Sequence, residues 1–414
     1  MSENLIIAGL DIGNGYVKGM ANWVGQDEGV TGIDFPSGVV HIFNSNDLKT
    51  RPEEIPGVMK DIYNEMDVSF SSPLVSNTGR MLFGVRGIKT GVSVDEFDVS
   101  LHESKALNEL SFVLAIGSMA GKALQSYWNK YQALPADTLS VHVRCALALP
   151  ISEYKQYAKS YSASFRKSTH VVTFHNFEQI VRVELTFDDV QVLAEGAAAQ
   201  YAITSKGEPL MEAMLNDLRK MGEPMDGITA ADILAAESTV GIDIGEGTVN
   251  FPVYQGGRFN PDSSMTFGKG YGAVLTAAQE RLMTMGQPFN SRKALADYLQ
   301  RPVTPMGRGR YNKVKQIVDE ETRNFAMEVS MQFSKLMSRI GAYVEVAYVY
   351  GGGASPVKDV LYPMLVDVSR KLGGADVSYP ILYLDSRYSR KLNREGLYSV
   401  AEKVYTYDMQ NAKK

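Results

Sequence analysis

Features typical of secreted, membrane-bound or nucleic-acid-binding proteins are scarce in this chain of 414 residues. Cys145 is the only cysteine, so an intrachain disulfide is excluded and a reducing, cytoplasmic location is expected. The formal net charge is −5, so no global basic charge attracts nucleic acid or an anionic membrane. No apolar run approaches the length of a membrane span, and no low-complexity tract is present.

Neither end of the chain has the pattern of a targeting segment. The start, M-S-E-N-L-I-I-A-G-L, lacks a basic region and predicts direct entry into a strand, so we expect no signal peptide. The end, D-M-Q-N-A-K-K, offers no amphipathic helix for a membrane surface. We therefore expect no membrane partner.

A short motif occurs twice, and it organises the rest of the chain. Residues 9–23, G-L-D-I-G-N-G-Y-V-K-G-M-A-N-W, are echoed at a constant offset by residues 241–255, G-I-D-I-G-E-G-T-V-N-F-P-V-Y-Q. In each copy an apolar run leads to an aspartate, a glycine turn and a second β-prone run. The pattern predicts a tight β-hairpin with an acid at its mouth in each of two similar halves. The chain is long enough for two such domains.

Phosphate binding is the chemistry that this hairpin favours. A glycine turn, expected to need φ > 0, lets a phosphate approach backbone N–H groups. Asp11 and Asp243 would place Mg²⁺, which keeps several waters and takes few protein ligands. A single aspartate before a glycine can be a simple turn residue, but two in register indicate a function. The copies differ in that Lys18, a cation able to reach a phosphate, corresponds to Asn250. Lys18 could equally be a solvated residue at the edge of the sheet. Thr248 could donate its hydroxyl to a phosphate, or it could be present only because threonine favours β-strands.

Other candidate sites are weaker. Residues 350–355, Y-G-G-G-A-S, predict a strand, a glycine run and a helix start, where a backbone can approach a base and ribose. Gly117, Gly121 and Lys122 resemble a phosphate loop only faintly, because the spacing is wrong and Ala123 replaces the required hydroxyl. Close helix packing is expected there. The histidines at 41, 102, 142, 170 and 175 lack metal-binding spacing on one helix face, so structural or surface roles are expected.

The predicted elements follow a similar order in both halves, which is an α/β arrangement. In the first half we predict, in order, strands at 5–12, 15–24 and 31–43, an inserted subdomain at 44–104, a helix at 105–130, a strand at 141–149, a helix at 152–165, strands at 171–174, 180–187 and 190–193, and a helix opening at 195–199. In the second half we predict a hairpin at 239–259, a helix after 268–272, a second insertion at 286–310, a helix at 311–340, a strand at 342–350, a helix near 356, a strand at 379–384 and a helix at 393–404.

The order of these motifs resembles the actin–hexokinase–heat-shock ATPase superfamily, from about residue 5 to 405. In that superfamily two duplicated halves clamp a nucleotide between hairpins called phosphate 1 and phosphate 2, with an adenosine motif later. The resemblance implies an actin-like α/β fold of two duplicated ribonuclease-H-like domains with inserted subdomains around a nucleotide cleft. The expected domains are residues 1–220 and 221–414. The expected helix at 393–405 would pack back on the first domain.

Four segments are similar to ParM-type bacterial actins of plasmid partition. They are the opening A-G-L-D-I-G-N-G-Y-V-K-G, the L-A-L-P-I at 147–151, the V-L-A-E-G-A-A-A at 192–199 and the L-N-R-E-G-L-Y at 392–398. By this resemblance Asp11 and Asp243 would order Mg²⁺, mostly through water, and Glu195 would orient or activate the hydrolytic water. A helix dipole alone would also favour Glu195 at a helix start. Asn250 stands where many relatives have an acid, and a supporting role is expected.

The resemblance also implies which residues would bind ATP or GTP. They line the two phosphate turns and the adenosine loop: Gly13, Asn14, Gly15, Tyr16, Lys18, Gly245, Glu246, Gly247, Thr248, Gly351, Gly352, Gly353 and Ala354.

The function expected from the resemblance is that of a dynamic filament that segregates plasmid or phage DNA. Nucleotide would drive self-association, and Mg-dependent hydrolysis would control disassembly. An adaptor protein bound to a centromere-like DNA site would link the filament to DNA, so no direct DNA binding is expected. The main alternative is a small-molecule kinase of the same superfamily. A heat-shock-type chaperone is disfavoured because too few residues follow the adenosine loop. A membrane-bound shape-determining actin is disfavoured by the polar C-terminus.

Overall fold

The structure is a computed structural model that describes residues 4–42, 49–97, 104–223, 225, 227–341, 343–373, 379–384 and 386–411. The chain divides into a first unit, Met1–Ala202 with Asn393–Lys414, and a second unit, Ile203–Leu392. The division falls inside a helix, Ala197–Lys220, which Gly207 interrupts with non-helical backbone. The observed division therefore differs from the expected boundary at 220/221.

The chain begins with β1 (Leu5–Ile12), β2 (Tyr16–Trp23), β3 (Thr31–Pro36), β4 (Gly38–Ile42), a 3₁₀ turn (Pro52–Glu54), α1 (Ile55–Lys60), α2 (Ile62–Glu65), β5 (Asp67–Ser71), β6 (Arg80–Phe83), α3 (Gly84–Lys89), β7 (Asp95–Glu96), α4 (Glu109–Tyr131), β8 (Leu139–Leu149), α5 (Ile151–Arg166), β9 (His170–Phe174), β10 (Val181–Ala194) and α6 (Ala197–Lys220). It continues with α7 (Ala230–Ala235), β11 (Thr239–Ile244), β12 (Val249–Phe251), β13 (Val253–Gln255), β14 (Arg258–Phe259), β15 (Met265–Phe267), α8 (Tyr271–Thr284), α9 (Arg292–Gln300), α10 (Arg308–Arg339), β16 (Val346–Tyr350), α11 (Ala354–Gly373), β17 (Ile381–Tyr383), α12 (Ser386–Ser389) and α13 (Leu392–Asn411).

The first unit is built on a ten-stranded sheet in the order β3-β2-β1-β8-β10-β9-β5-β6-β4-β7. Strands β1, β8 and β10 run parallel, so their carboxyl ends lie at one edge of the sheet. Successive residues of β1 point to opposite faces. Ile6 and Leu10 join the large core that includes α4, whereas Ile7 packs with Leu397 of α13. Helices on both faces explain why β1 is apolar along nearly its whole length.

The expected insertion at 44–104 extends this sheet rather than forming a separate one. Strand β5 pairs with β9, β6 pairs with β5 and β4, and β7 pairs with β4. The segment predicted as one strand at 31–43 is two, because β3 pairs with β2 while β4 pairs with β6. The expected insertion also contains the 3₁₀ turn and α1. Residues 43–48 and 98–103 lie outside the described ranges.

Strand β10 joins two segments that the pattern separates. The alternation predicts strands at 180–187 and 190–193, but one strand runs from Val181 to Ala194. Its register against β8 shifts between Phe187 and Asp189. A bulge of this kind adds a residue and breaks the period-two pattern while the strand continues. The sequence therefore looks like two strands where the ladder shows one.

The faint phosphate-loop pattern on α4 belongs to the core, as expected. A Cβ at Gly117 would lie 2.7 Å from the Phe83 ring, and one at Gly121 would lie 3.2 Å from the Tyr63 ring. Lys122 is fully buried and makes an ion pair with Glu28. These glycines permit close packing against aromatic rings.

The second unit repeats the strand order of the first. Its central strands are β15-β12-β11-β16-β17, which matches β3-β2-β1-β8-β10, and β11, β16 and β17 are parallel. Strand β12 pairs with the end of β11 and β13 pairs with its start, so β12 and β13 together form one antiparallel neighbour of β11. Pro252 separates the two short strands. Proline has no N–H to donate to the ladder, which explains the break. The internal repeat in the sequence is therefore a repeat of topology.

The expected insertion at 286–310 contains α9, and α10 begins at Arg308, a little before the predicted start at 311.

Four histidines make ordinary contacts within the fold. His41 lies against Asp95, His142 against Asp188, His170 against Ser72 and the Phe165 carbonyl, and His175 against Ser69. His102 lies outside the described residues. In the described ranges, no helix combines the length and the apolarity needed to cross a bilayer.

Candidate functional site

The two glycine turns have the same backbone geometry. The N–H of Gly13 donates to the carbonyl of Tyr16 at 3.0 Å, and the N–H of Gly245 donates to the carbonyl of Thr248 at 2.9 Å. The first turn joins β1 to β2, and the second joins β11 to β12. The sequence match at a constant offset therefore predicts a matching local structure in each unit.

Glycine is required at these turns for a different reason from the one expected. Neither Gly13 nor Gly245 has a left-handed φ, so the expectation of φ > 0 is wrong for both. A Cβ at Gly13 would lie 2.8 Å from the Tyr16 oxygen, and one at Gly245 would lie 3.0 Å from the Thr248 oxygen. The side chain must be absent because the carbonyl three residues later folds over the turn.

At the tip of each turn, backbone N–H groups are available to bind a ligand. Among the described residues, no hydrogen bond uses the backbone N–H of Asn14 or Gly15, or of their counterparts Glu246 and Gly247. All four residues are partly exposed. A run of such N–H groups in a turn is a concave donor set that suits an anion.

Asp11 lies at the end of β1 within a small cluster of charges. It pairs across the hairpin with Lys18, so the two side chains leave the same face of the sheet. Burial raises the pKa of the Asp11 carboxyl, and the nearby Glu195 raises it further. Lys18, Lys105 and a hydrogen bond from Asn393 act in the opposite direction. Asp11 is thus an acid whose charge depends on its cationic neighbours.

Glu195 follows the last residue of β10 and is 6% exposed. Its N–H donates to the Leu149 carbonyl at 2.7 Å, at the end of the neighbouring parallel strand β8. Its Oε1 accepts a hydrogen bond from Lys105 Nζ at 2.5 Å. Helix α6 begins only at Ala197, after Gly196 with φ 79°, so Glu195 lies before the first helical turn. The helix start that was expected at Glu195 is therefore found two residues later.

The sequence motifs for Asp11 and Glu195 converge because β1, β8 and β10 are parallel neighbours whose carboxyl ends share one edge. Residues placed there are brought together by the sheet, in the way usual for ligand sites in α/β proteins. Lys105 was not predicted as a site residue, because a lysine before a helix has no distinctive spacing. Only the fold reveals its contact with Glu195.

Asp243 occupies the corresponding edge of the second unit and is 5% exposed. It pairs with Asn250 on β12 and with Tyr350 on β16. Asn250 donates to Thr248 Oγ1 at 3.3 Å and accepts from Thr266 Oγ1 at 2.8 Å. Asn250 therefore connects β12 to Thr248 and Thr266 beside Asp243.

The second turn is held by helix α8. The N–H groups of Tyr271 and Gly272 donate to the carbonyls of Gly245 and Glu246, at 3.0 and 2.9 Å. The G-K-G-Y-G segment at 268–272 supplies the close approach, since a Cβ at Gly272 would lie 2.8 Å from the Glu246 oxygen. Arg292 of α9 lies 3.5 Å from the Glu246 carboxylate. Arg292 was also missed from the sequence, because nothing in the pattern of the insertion marks it.

The glycine run at 351–353 packs on the same strand end. Gly351 has φ 100°, and the N–H of Gly353 donates to the Ile244 carbonyl at 2.8 Å. Ala354 begins α11, as expected for a glycine loop that opens a helix. Gly352 lies between these contacts and is exposed. The loop at 350–355 and the turn at 245–248 thus lie at one edge of the second unit.

The donor set fits Mg²⁺ only if phosphate and water supply most of its ligands. Within the described parts of the chain, no cluster of three or more His, Cys, Asp or Glu side chains could hold a metal. Asp11 has Lys18 and Lys105 among its electrostatic neighbours, and Asp243 pairs with Asn250 and Tyr350 across its two neighbouring strands. Mg²⁺ characteristically accepts one or two carboxylates plus phosphate oxygens and waters. Each aspartate could therefore contribute one carboxylate to a site of this kind.

Comparison with solved structures identifies the fold. The archaeal actin homolog Ta0583 matches 97% of this chain and 99% of its own, with a TM-score of 0.61 and 12% identity. The actin-like protein Alp7A matches 99% of each chain, with a TM-score of 0.66 and 18% identity. Bacillus thuringiensis ParM with AMPPNP matches 97% and 99%, with a TM-score of 0.58 and 16% identity. No protein-family model and no curated protein sequence matches the chain. The expected α/β fold is confirmed: this chain has the actin-like fold, shared with ParM structures over nearly its whole length.

Proposed function

We propose that this chain is a nucleotide-dependent, polymerising actin-like protein that hydrolyses Mg-ATP or Mg-GTP. One observation carries the proposal: each unit presents, near an aspartate at a strand end, a glycine turn with two backbone N–H groups that make no hydrogen bond to the described residues. Backbone N–H groups arranged in such a turn suit the oxygens of a phosphate group. The solved structures of the same fold include ParM bound to ADP and to AMPPNP.

The proposed chemistry assigns a task to each residue. The turn N–H groups and Lys18 would bind phosphate oxygens, and Asp243 and Asp11 would help to hold Mg²⁺. Bound Mg²⁺ supplies neutralisation of the charge that develops on the transferred phosphoryl group. Glu195 orients the attacking water, and the loop at 351–354 lines the nucleoside. In-line attack by water needs positioning and charge neutralisation more than covalent help.

The proposed biological role is segregation of plasmid or phage DNA by filaments of this chain in the cytoplasm. An adaptor protein bound to a centromere-like DNA site would link filament and DNA. This role rests on the four ParM-like segments and on the shared fold. The net charge of −5 suits a chain that contacts DNA through an adaptor.

Polymerisation of the purified chain tests the proposal directly. Mg-ATP or Mg-GTP is added at micromolar protein concentration while light scattering, sedimentation and phosphate release are followed. We expect scattering to rise with one or both nucleotides and to fall as phosphate is released. EDTA should abolish both signals. Absence of polymer with either nucleotide, with phosphate passing instead to a sugar or an acid, would establish the kinase alternative.

The Glu195→Ala variant tests the assignment of the water-orienting residue. Loss of a group that acts on the attacking nucleophile typically costs 10²–10⁴ in rate, so we expect hydrolysis to slow by about that factor. Polymerisation should persist and filaments should live longer. Glu178→Ala, at an exposed position in the same unit, is the control and should hydrolyse nucleotide at the wild-type rate. Wild-type turnover in Glu195→Ala would remove Glu195 from the mechanism.

A further inference from the structure

We propose that Lys105 is a positioning residue for Glu195: its ammonium fixes the orientation of that carboxylate at the end of β10. The inference rests on the function proposed above, because the effect of Lys105 would be seen in nucleotide hydrolysis. Lys105 would act through Glu195 and without touching the nucleotide.

The contact between the two side chains is short and shielded from water. Lys105 Nζ lies 2.5 Å from Glu195 Oε1, and each side chain is 8% exposed. The Phe97 ring lies over the ammonium, with its centroid 5.9 Å away. A charge-assisted hydrogen bond in such surroundings is stronger than one at the surface and restricts rotation of the carboxylate. Glu195 is therefore held in one orientation before any nucleotide binds.

The loop that carries Lys105 is itself fixed on both sides. Ser104 Oγ donates to Glu153 Oε2 at 2.7 Å, and the Ala106 N–H donates to the same oxygen at 3.0 Å. Asn108 then caps α4 by accepting from the Leu110 N–H at 2.9 Å. Lys105 lies between one side-chain and one backbone hydrogen bond to Glu153, so its ammonium is placed by α5 and α4 as well as by Glu195.

Charge balance explains why a lysine is needed at this position. Asp11 and Glu195 interact electrostatically, and together they place two carboxylates at a poorly solvated edge. Burial disfavours the charged ammonium, but Glu195 and Asp11 outweigh it and raise the pKa of Lys105. Removing one partner of a buried pair leaves the other uncompensated. Without Lys105, the Glu195 carboxylate would be left uncompensated beside Asp11 and would turn away from it.

Lys122 provides a matched comparison within the same unit. It is a buried lysine that also pairs with a glutamate, Glu28, and it donates to Thr31 Oγ1 at 2.8 Å. Neither Glu28 nor Thr31 belongs to the turns or to the Glu195 cluster. Lys122→Met therefore removes a buried ion pair of the same kind without disturbing the proposed water-orienting group.

A double-mutant cycle tests the proposal. Lys105→Met is made in the wild-type chain and in the Glu195→Gln chain, and phosphate release and nucleotide Kd are measured in single-turnover reactions. A misplaced catalytic group costs on the order of 10²-fold, so we expect Lys105→Met to slow hydrolysis by about 10- to 100-fold. In the Glu195→Gln background the further loss should stay below about twofold, because residues that act as a unit are not additive. Nucleotide Kd should change by less than about threefold. Lys105→Arg, which keeps the charge, should recover about a tenth or more of the lost rate.

The outcomes separate the possible failures. An equal loss in both backgrounds would overturn the proposal in favour of direct phosphate contact, as would a rise in Kd with unchanged turnover. If Lys122→Met slows turnover as much as Lys105→Met, the effect is structural and the proposal fails. Circular dichroism melting of each variant shows whether the fold survives; should Lys105→Met unfold, Lys105→Gln takes its place in the cycle. A wild-type chain that hydrolyses no nucleotide would overturn the proposed function itself.

Discussion

Gly351 lies directly against Asp243, so that a Cβ on residue 351 would lie 2.5 Å from the Asp243 Oδ1 atom. The glycine belongs to the loop after β16, and the aspartate is the last residue but one of β11, the strand that pairs with β16. Any side chain at 351 would push on one of the two acids that we propose to hold Mg²⁺. The loop and the acid therefore form a single structural unit, although the sequence separates them widely.

Gly351→Ala should both destabilise the second unit and weaken nucleotide binding. A left-handed backbone costs an alanine about 1–2 kcal/mol, and overpacking adds about 1–3 kcal/mol. Gly256→Ala is the matched control, because Gly256 has φ 56° but nothing within 4 Å of its Cβ position. The control should lose only the backbone contribution and keep its nucleotide affinity. Urea denaturation and fluorescent-nucleotide titration measure the two effects. Equal destabilisation of both variants would show that the contact with Asp243 is unimportant.

Lys18→Met should weaken triphosphate binding about tenfold, which corresponds to about 1.4 kcal/mol. The reason is loss of one cation beside a turn whose N–H groups are open to an anion. Binding of the unphosphorylated nucleoside should be unchanged, since Lys18 would contact phosphate alone. Isothermal titration with ATP, GTP and the two nucleosides measures the difference. Lys60→Met, at an exposed helical position, is the control. An unchanged triphosphate Kd would assign Lys18 to the solvated edge of the sheet.

His170 should make stability pH-dependent in the mildly acidic range. Its Nε2–H donates to the Phe165 carbonyl at 2.9 Å, and Nδ1 lies 2.8 Å from Ser72 Oγ. Burial lowers the pKa of His170 in the folded state. The unfolded chain therefore binds more protons as pH falls through the ordinary histidine pKa of about 6.5, and the folded state loses stability. The slope for one group is at most about 1.4 kcal/mol per pH unit.

His170→Phe should reduce this acid dependence when the free energy of unfolding is measured between pH 5 and pH 8. Val172→Ala is the control, because it truncates a buried neutral residue on the same strand. That variant should lose stability by a similar amount at every pH. If wild type and His170→Phe show the same slope, another group causes the acid dependence.

Gly396→Ala should loosen the last helix from the first unit. A Cβ at Gly396 would overlap the Ala198 carbonyl oxygen of α6. Overpacking of this kind costs about 1–3 kcal/mol, and the helix must shift to relieve it. We expect faster proteolytic cleavage near residues 386–396 and a lower melting temperature. Gly57→Ala, with nothing near its Cβ position, should behave like the wild type. Unchanged proteolysis of Gly396→Ala would show that α13 tolerates displacement.

Much of the fold can be predicted from local patterns. Asp-glycine hairpins at a constant offset predict the two matching turns, and apolar runs predict β1, β8, β11 and β16. The patterns fail where pairing partners decide the outcome. One apolar run at 31–43 becomes two strands because β3 and β4 pair with different neighbours. Two runs at 180–193 become one strand because a bulge shifts their register.

The candidate site divides in the same way. The sequence by itself determined the turns, the strand-end acids Asp11 and Asp243, and the glycine loop, because each requires a local spacing of small and acidic residues. Only the tertiary structure decided that Lys105 meets Glu195 and that Gly351 lies against Asp243. Those contacts join segments whose distance is fixed by parallel strand neighbours, and the spacing of residues along a chain does not encode that distance.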